Sequence, residues 1–214
     1  MHAGGVFADR AVAGRALLPL LEHLRGRDVV VLGLPRGGVP VAAQVAAGLG
    51  APLDVLVARK LGAPRNPEYA LGAIAEAGAR FVDEQAAARV DPAALEAVEE
   101  RERAELARRV AVYRPHAERL DLAGRAVVLV DDGIATGATT VAACRAARAL
   151  GAAEVMVAVP VAPRDWTGRL EGEADALVAA REPRVFLAVG HFYADFRQTT
   201  DTEVLALLAA HPRP

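Results

Sequence analysis

The sequence predicts an α/β fold, doubly wound, with a mainly parallel sheet flanked by helices. Three observations lead there. Short unbroken apolar runs, such as Val29 to Leu34 and Val155 to Val161, have the length and β-branched content of strands buried on both faces. Alanine-rich helical stretches alternate with them, and strand, helix, strand over about thirty residues is a right-handed parallel βαβ unit. No repeat, linker or low-complexity tract divides the 214 residues, a length that suits one domain spanning 1–214.

The elements follow in order. Asp9 caps a first helix with Val12, Leu17, Leu20, Leu21 and Leu24 at helical spacing. Residues 28–34 read as a buried strand, and "PRGG" leads into a helix from Val39 to Leu49 with Pro40 in its first turn and Gly50 at its end. "PLDVLVARK" (52–60) reads as a second buried strand and "LGAPRNPEYA" (61–70), with two prolines and no apolar period, as an exposed loop. An insertion at about 71–115 combines a short hairpin turning near Ala77-Gly78 with a long charged helix opened by Asp91-Pro92. Its Leu95, Val98, Leu106, Val110 and Tyr113 supply an apolar stripe, and its Glu/Arg pairs a solvated face. A second βαβ unit runs from strand Ala126 to Val130 through a helix ending at Leu150 to strand 154–161. Shorter strands are expected at 175–179 and 185–189, and Thr200 to Glu203 forms a capping box before the last helix. The N-terminus and residues 185–200 are placed to form a small hood.

Composition limits the function. Apolar residues make up 53% and charged residues 24%, which is globular rather than disordered. A formal net charge of -2 gives no global basic field, so no nucleic acid is expected as partner. The apolar runs are too short to span a membrane, and the opening "MHAGGVFADRAV" lacks the pattern of a signal peptide. Cys144 is the single cysteine and cannot form an internal disulfide, so a cytoplasmic location is expected. Of 25 basic residues only Lys60 is a lysine. Genome composition or heat tolerance accounts for the arginine bias, but the compact ammonium of Lys60 is not interchangeable with a guanidinium at a tight site.

The chemistry centres on "VVLVDDGIATGATT" (127–140), where two carboxylates end a strand and a Gly/Thr turn opens a helix. The backbone from Gly133 to Thr139 can turn several N–H groups inward and hold a phosphate without a cationic side chain. Gly137 permits close approach or a positive φ, and Thr136 and Thr139 add hydroxyls. Neither G-x-x-x-x-G-K-[ST] nor G-x-G-x-x-G occurs at the βα turns. Asp131 and Asp132, the latter read as an exposed strand-end carboxylate, repel one another unless something sits between or upon them: a metal, or a vicinal diol. A ribose 5-phosphate satisfies acids and turn together.

This stretch resembles the signature of the type I phosphoribosyltransferases, which use 5-phosphoribosyl 1-pyrophosphate (PRPP). The resemblance covers most of 29–161: "LGLPRGG" resembles the family's pyrophosphate loop and "ARK" its basic element after the second strand. It implies that Asp131 and Asp132 bind the ribose hydroxyls and that Ala135, Thr136, Gly137, Ala138 and Thr139 bind the 5-phosphate, beside Gly133. It further implies that Arg36, Gly37 and Gly38, in a loop that often contains a non-proline cis peptide, contact pyrophosphate together with Lys60. The 61–70 loop, with Arg65 at its tip, would be the mobile lid; Lys60, Arg65, Asp131 and Asp132 would be the catalytic set. Mg²⁺ is the implied cofactor, held mainly through PRPP with Asp195 as a further contact.

The acceptor is less legible. The family's 6-oxopurine members carry an aspartate where this chain has Ala135. "FLAVGHFYADF" (186–196) is similar to the purine site of hypoxanthine-guanine enzymes, with one residue more between glycine and aspartate. Four of the nine aromatics fall in these eleven positions. Phe192, Tyr193 or Phe196 would stack on a base and Asp195 would contact it; packing of a hood explains the same residues. The expected function is a phosphoribosyltransferase of nucleotide metabolism acting on PRPP and a small-molecule acceptor, with a homo-oligomer left open. A PRPP-binding regulator is the alternative, and a metal hydrolase lacks a nearby His-rich ligand set.

Overall fold

A computed structural model describes residues 6–114 and 118–211, apart from the side chain of Glu68. The readings made for residues 1–5, for the end of the insertion at 115 and for the last three residues lie outside these bounds.

Asp9 accepts the amide of Val12 at 2.7 Å and so caps helix α1 (Arg10–Leu21). Strand β1 (Val29–Gly33) leads to helix α2 (Gly38–Leu49), and strand β2 (Leu53–Val55) returns beside β1. Strands β3 (Ala58–Ala63), β4 (Asn66–Ala75) and β5 (Arg80–Val82) precede a short helix α3 (Glu84–Ala87) and the long helix α4 (Pro92–Tyr113). Strand β6 (Ala126–Val130), helix α5 (Ala138–Ala149), strand β7 (Glu154–Val161) and strand β8 (Ala176–Arg181) complete the second half. Helix α6 (Asp201–Ala210) closes the chain behind the Thr200–Glu203 capping box.

The main sheet is wholly parallel, in the order β2-β1-β6-β7-β8. Successive side chains of a strand point to opposite faces, and both faces are buried here. Val29 and Val31 pack with Leu17 and Leu21 of α1 and the alanines of α2. Val30 and Leu32 pack on the other face with Val141 and Ala142 of α5 and with Trp166. Helices on both faces make the fold doubly wound. Leu20 is the exception to the expected apolar stripe of α1, at 44% exposed.

Three local readings are corrected. The stretch 52–60 is not one strand: pairing with β1 ends at Val55, and from Ala58 the chain joins an antiparallel sheet in the order β3-β4-β5. Leu53, Val55, Leu56, Val57 and Leu61 are all buried, so the apolar run stays continuous while its hydrogen bonds change sheets. The 61–70 segment is mostly hairpin, for Ala63 pairs with Asn66 and only Pro64 and Arg65 make the turn. Pro67 is tolerated in β4 because β5 pairs only with residues 72–74. At 185–189 no strand forms: Val185 and Leu187 are 72% and 76% exposed, and Val189–Phe192 is a 3₁₀ turn. The hairpin turn at Ala77-Gly78 is as expected.

Buried charge joins the two sheets. Arg114 reaches Asp54 of β2 at 3.3 Å and Glu76, in the β4–β5 turn, at 2.7 Å, and it also donates to the Val55 carbonyl. Val57 N donates to Glu76 Oε1 at 2.8 Å, inside the crossing segment itself. Helix α4 covers the outer face of the small sheet through Val98, packed with Leu61 and Ile74.

Candidate functional site

The loops after β1 and β6 meet where the strand order reverses, with β2 to one side and β7 and β8 to the other. Ligands of doubly wound sheets bind in this crevice, outside the carboxyl ends of the strands. Strand β6 pairs Val130 with Gly33 and then delivers Asp131 and Asp132 to it.

The two loops touch through glycine and carboxylate. A β-carbon on Gly37 would stand 1.9 Å from Asp132 Oδ2, and one on Gly38 would stand 2.5 Å from the Val130 carbonyl oxygen. Gly37 has an ordinary φ of -64°, so close approach and not conformation demands glycine there. The Pro35–Arg36 peptide is cis. The Arg36 side chain lies 3.8 Å from Asp201 Oδ1, which also accepts the Tyr113 hydroxyl at 2.6 Å.

Asp132 is not the exposed strand-end carboxylate that the sequence suggested. The Asp132 side chain is 15% exposed, and its Oδ2 receives Nε and Nη2 of Arg10 at 2.9 and 2.8 Å. Asp131 Oδ1 accepts the Asp132 amide at 2.8 Å. Among the described residues, Asp131 Oδ2 and Asp132 Oδ1 make no hydrogen bond, so each carboxylate keeps one oxygen open. Burial, followed by the charge of Asp132, pushes the Asp131 carboxyl well above its ordinary value. Burial also lifts Asp132, while the charge and hydrogen bonds of Arg10 pull it back.

A hood leans over this pair. Phe7 and Ala8 pair with the chain at 192–195: Phe7 N donates to the Phe192 carbonyl at 2.8 Å, and Ala194 N to that of Phe7 at 2.7 Å. Buried Tyr193 donates its hydroxyl to the Asp132 carbonyl at 2.6 Å; burial, then the Asp132 charge, raises its phenol strongly. Of the residues expected at the acceptor, Phe192 stacks on Phe186 at 5.5 Å and Tyr193 lies between Phe7 and Phe196. Arg10 sits 4.1 Å above the Phe196 ring. Asp195 Oδ1 accepts the Arg197 amide, and the residue lines a cavity of about 420 Å³ with Arg10, Gln198 and Thr199. Arg181, at the end of β8, lies 3.8 Å over the Phe7 ring with Nη1 buried and unbonded.

The turn after the acids ends at Gly137, whose φ is 84°, and no side chain caps α5. The first amides of α5, from Ala138 and Thr139, are therefore unused by any cap, and such N–H groups attract anions. Thr136 is exposed beside them, and Ala135 gives its carbonyl to Arg169 Nη1 at 2.6 Å. Lys60 pairs across the hairpin with Ala73. Arg59 and Leu61, its neighbours, face α4 through Glu102 and Val98. Alternation therefore puts Lys60 on the face it shares with Ala58 and Ala73, which pack toward α5. Arg65 is exposed at the hairpin tip.

The structure thus brings Arg10, Gly37, Gly38, Asp131, Asp132 and Tyr193 into contact, with the Gly133–Thr139 turn following directly in the chain. Arg10 and Arg169 were not singled out from the sequence. Arg10 is 122 residues from Asp132, and nothing local separates it from the other arginines. Among the described residues no group of three or more His, Cys, Asp or Glu gathers to cage a metal. Two open carboxylate oxygens can share a hard cation with a ligand's oxygens.

Comparisons with known proteins give the family. Residues 10–178 match the family model described as the phosphoribosyl transferase domain. Two Mycobacterium tuberculosis proteins, MT0597 and Rv0571c, carry a provisional phosphoribosyl transferase name and are each 52% identical over 205 residues. The match covers 95% of this chain and 46% of theirs, so the chain spans about half the length of these relatives. The crystal structure of TT1426 from Thermus thermophilus shares 44% identity and a TM-score of 0.81, covering 97% of this chain and 100% of that one.

Proposed function

The chain belongs to the phosphoribosyl transferase family, and on that premise we propose that it transfers the 5-phosphoribosyl group of PRPP to a nitrogenous base or related amine, releasing pyrophosphate. One observation carries the reading: each acid keeps one open oxygen, next to a helix start that no side chain caps. Two acceptors suit the two hydroxyls of a ribose, and free amides suit its 5-phosphate.

The chemistry is dissociation assisted by charge. As the C1–oxygen bond breaks, positive charge grows on the ribose ring and negative charge on pyrophosphate. Asp131 and Asp132 favour the first; Lys60, Arg36 and the amides of Gly37 and Gly38 favour the second. No covalent nucleophile is needed, so positioning supplies much of the acceleration. Arg36 would have to leave Asp201, a weak 3.8 Å pairing, to reach the leaving group. The Pro64–Arg65 hairpin tip is the segment that would cover the bound substrate and exclude water. Mg²⁺ would be held mainly by pyrophosphate and ribose oxygens, and would supply neutralising charge on the leaving group. Within the aromatic cluster at 192–196, exposed Phe196, and not buried Tyr193, offers a surface for a planar acceptor.

The test is incubation with PRPP, Mg²⁺ and a panel of purine, pyrimidine and simple amine acceptors, following pyrophosphate release. Release with one acceptor class, abolished by chelator, is the expected result. Tight PRPP binding with no release across the panel would favour a regulator, and no PRPP binding would refute the site.

A further inference from the structure

Arg10 is joined to several parts of the site at once. Its Nε and Nη2 hold Asp132 Oδ2, its Nη1 donates to the Arg197 carbonyl at 2.8 Å, and its plane covers the Phe196 ring. The side chain is 11% exposed. A β-carbon on Gly37 would lie 3.3 Å from its Nε, so the guanidinium also abuts the loop after β1. Through it, the first helical residue after the Asp9 cap is tied to the acid pair, the chain at 196–197 and the glycine loop.

The consequence is geometrical. An aspartate has two equivalent oxygens and a nearly free terminal rotation. With Oδ2 fixed by a two-pronged guanidinium, Oδ1 is the oxygen that stays open, and its direction is set. The same guanidinium holds Arg197, and the backbone at 192–195 pairs with Phe7 and Ala8 just before Arg10. Hood position and carboxylate orientation are therefore read from one side chain.

We propose that Arg10 is a positioning residue, which orients the open oxygen of Asp132 toward the ribose and couples that orientation to docking of the hood. The proposal rests on the reading of the acid pair as a ribose site. It does not place Arg10 on the substrate. A lysine could keep the charge but could not hold Asp132 with two prongs while donating to the Arg197 carbonyl.

Amide hydrogen exchange and PRPP calorimetry test the two halves separately, on wild type, Arg10→Met, Asp132→Asn and the double variant. Without ligand, exchange at the amides of Phe7, Ala194 and Asp195 should accelerate at least about tenfold in Arg10→Met, with those of β7 unchanged. With PRPP and Mg²⁺, Arg10→Met should weaken binding about tenfold or more, and much less when Asp132 is already Asn, because the two act through one contact. Arg10→Lys should recover part of the affinity but not the exchange protection. Unchanged exchange at the hood overturns the proposal whatever PRPP does. Equal weakening by Arg10→Met in both backgrounds overturns it too, since Arg10 would then act independently of Asp132. Faster hood exchange in Arg10→Met together with a wild-type protein that fails to bind PRPP removes the ribose reading, and with it the function assigned to the contact.

Discussion

Gly37 lies directly against Asp132: a single added carbon would stand 1.9 Å from the carboxylate oxygen that Arg10 holds. The glycine of one loop thus determines where the acid of the other can be. Gly37→Ala should force the carboxylate or the loop to move, at a cost of about 1–3 kcal/mol in stability, the scale of overpacking a close-fitted site. PRPP affinity should fall about tenfold or more, since each 1.4 kcal/mol is tenfold. Wild-type affinity by calorimetry in a folded Gly37→Ala protein would mean that the carboxylate position is irrelevant to binding.

Asp131 should limit stability. Its carboxyl is raised well above the ordinary 3.8 because it is largely desolvated and lies beside the charge of Asp132. From pH 3.8 upward the unfolded chain ionises first, while the folded protein still holds the proton. Folding therefore binds protons in that window, and stability from this group falls as pH rises until the folded carboxyl ionises as well. Asp131→Asn removes this cost, so its melting temperature should exceed that of wild type at pH 7, by about 2–4 °C for each kcal/mol relieved. The gap should shrink as pH is lowered toward 4. PRPP binding should be weakened in the same variant. A variant less stable than wild type at pH 7 would show that Asp131 is well compensated.

Lys60 distinguishes transferase from regulator. A group that stabilises departing pyrophosphate matters more for rate than for affinity. Lys60→Ala should lower turnover by a factor about 10² larger than its effect on PRPP binding, the scale of one electrostatic contact. Lys60→Arg should restore only part. Steady-state rates set beside calorimetric affinities decide it, and equal losses in both would reduce Lys60 to a binding contact.

Arg114 is the test of the fold itself. Removing one partner from a buried ion network leaves the others uncompensated, and costs about 3–5 kcal/mol. Arg114→Met should lower unfolding stability on that scale, because Asp54 and Glu76 are buried. Denaturant titration measures it. A loss below about 1 kcal/mol would mean that the Arg114 ion pairs add little to the joint between the two sheets.

The amino-acid sequence by itself determined the parts governed by short-range rules. β1, β6 and β7 are legible as brief apolar runs, Asp9 and Thr200 cap as their side chains dictate, and the Asp131–Thr139 turn stands at the strand–helix junction where its pattern requires it. Only the tertiary structure decided that the run 53–61 crosses from one sheet to another, since its leucines and valines are buried in either case. Only it paired 61–70 into a hairpin and left 185–189 without a partner strand, because a strand exists only where another offers hydrogen bonds. The same holds for Arg10 and Asp132. Their contact spans 122 residues, and local periodicity carries no information about which charge the folded chain will bring to which.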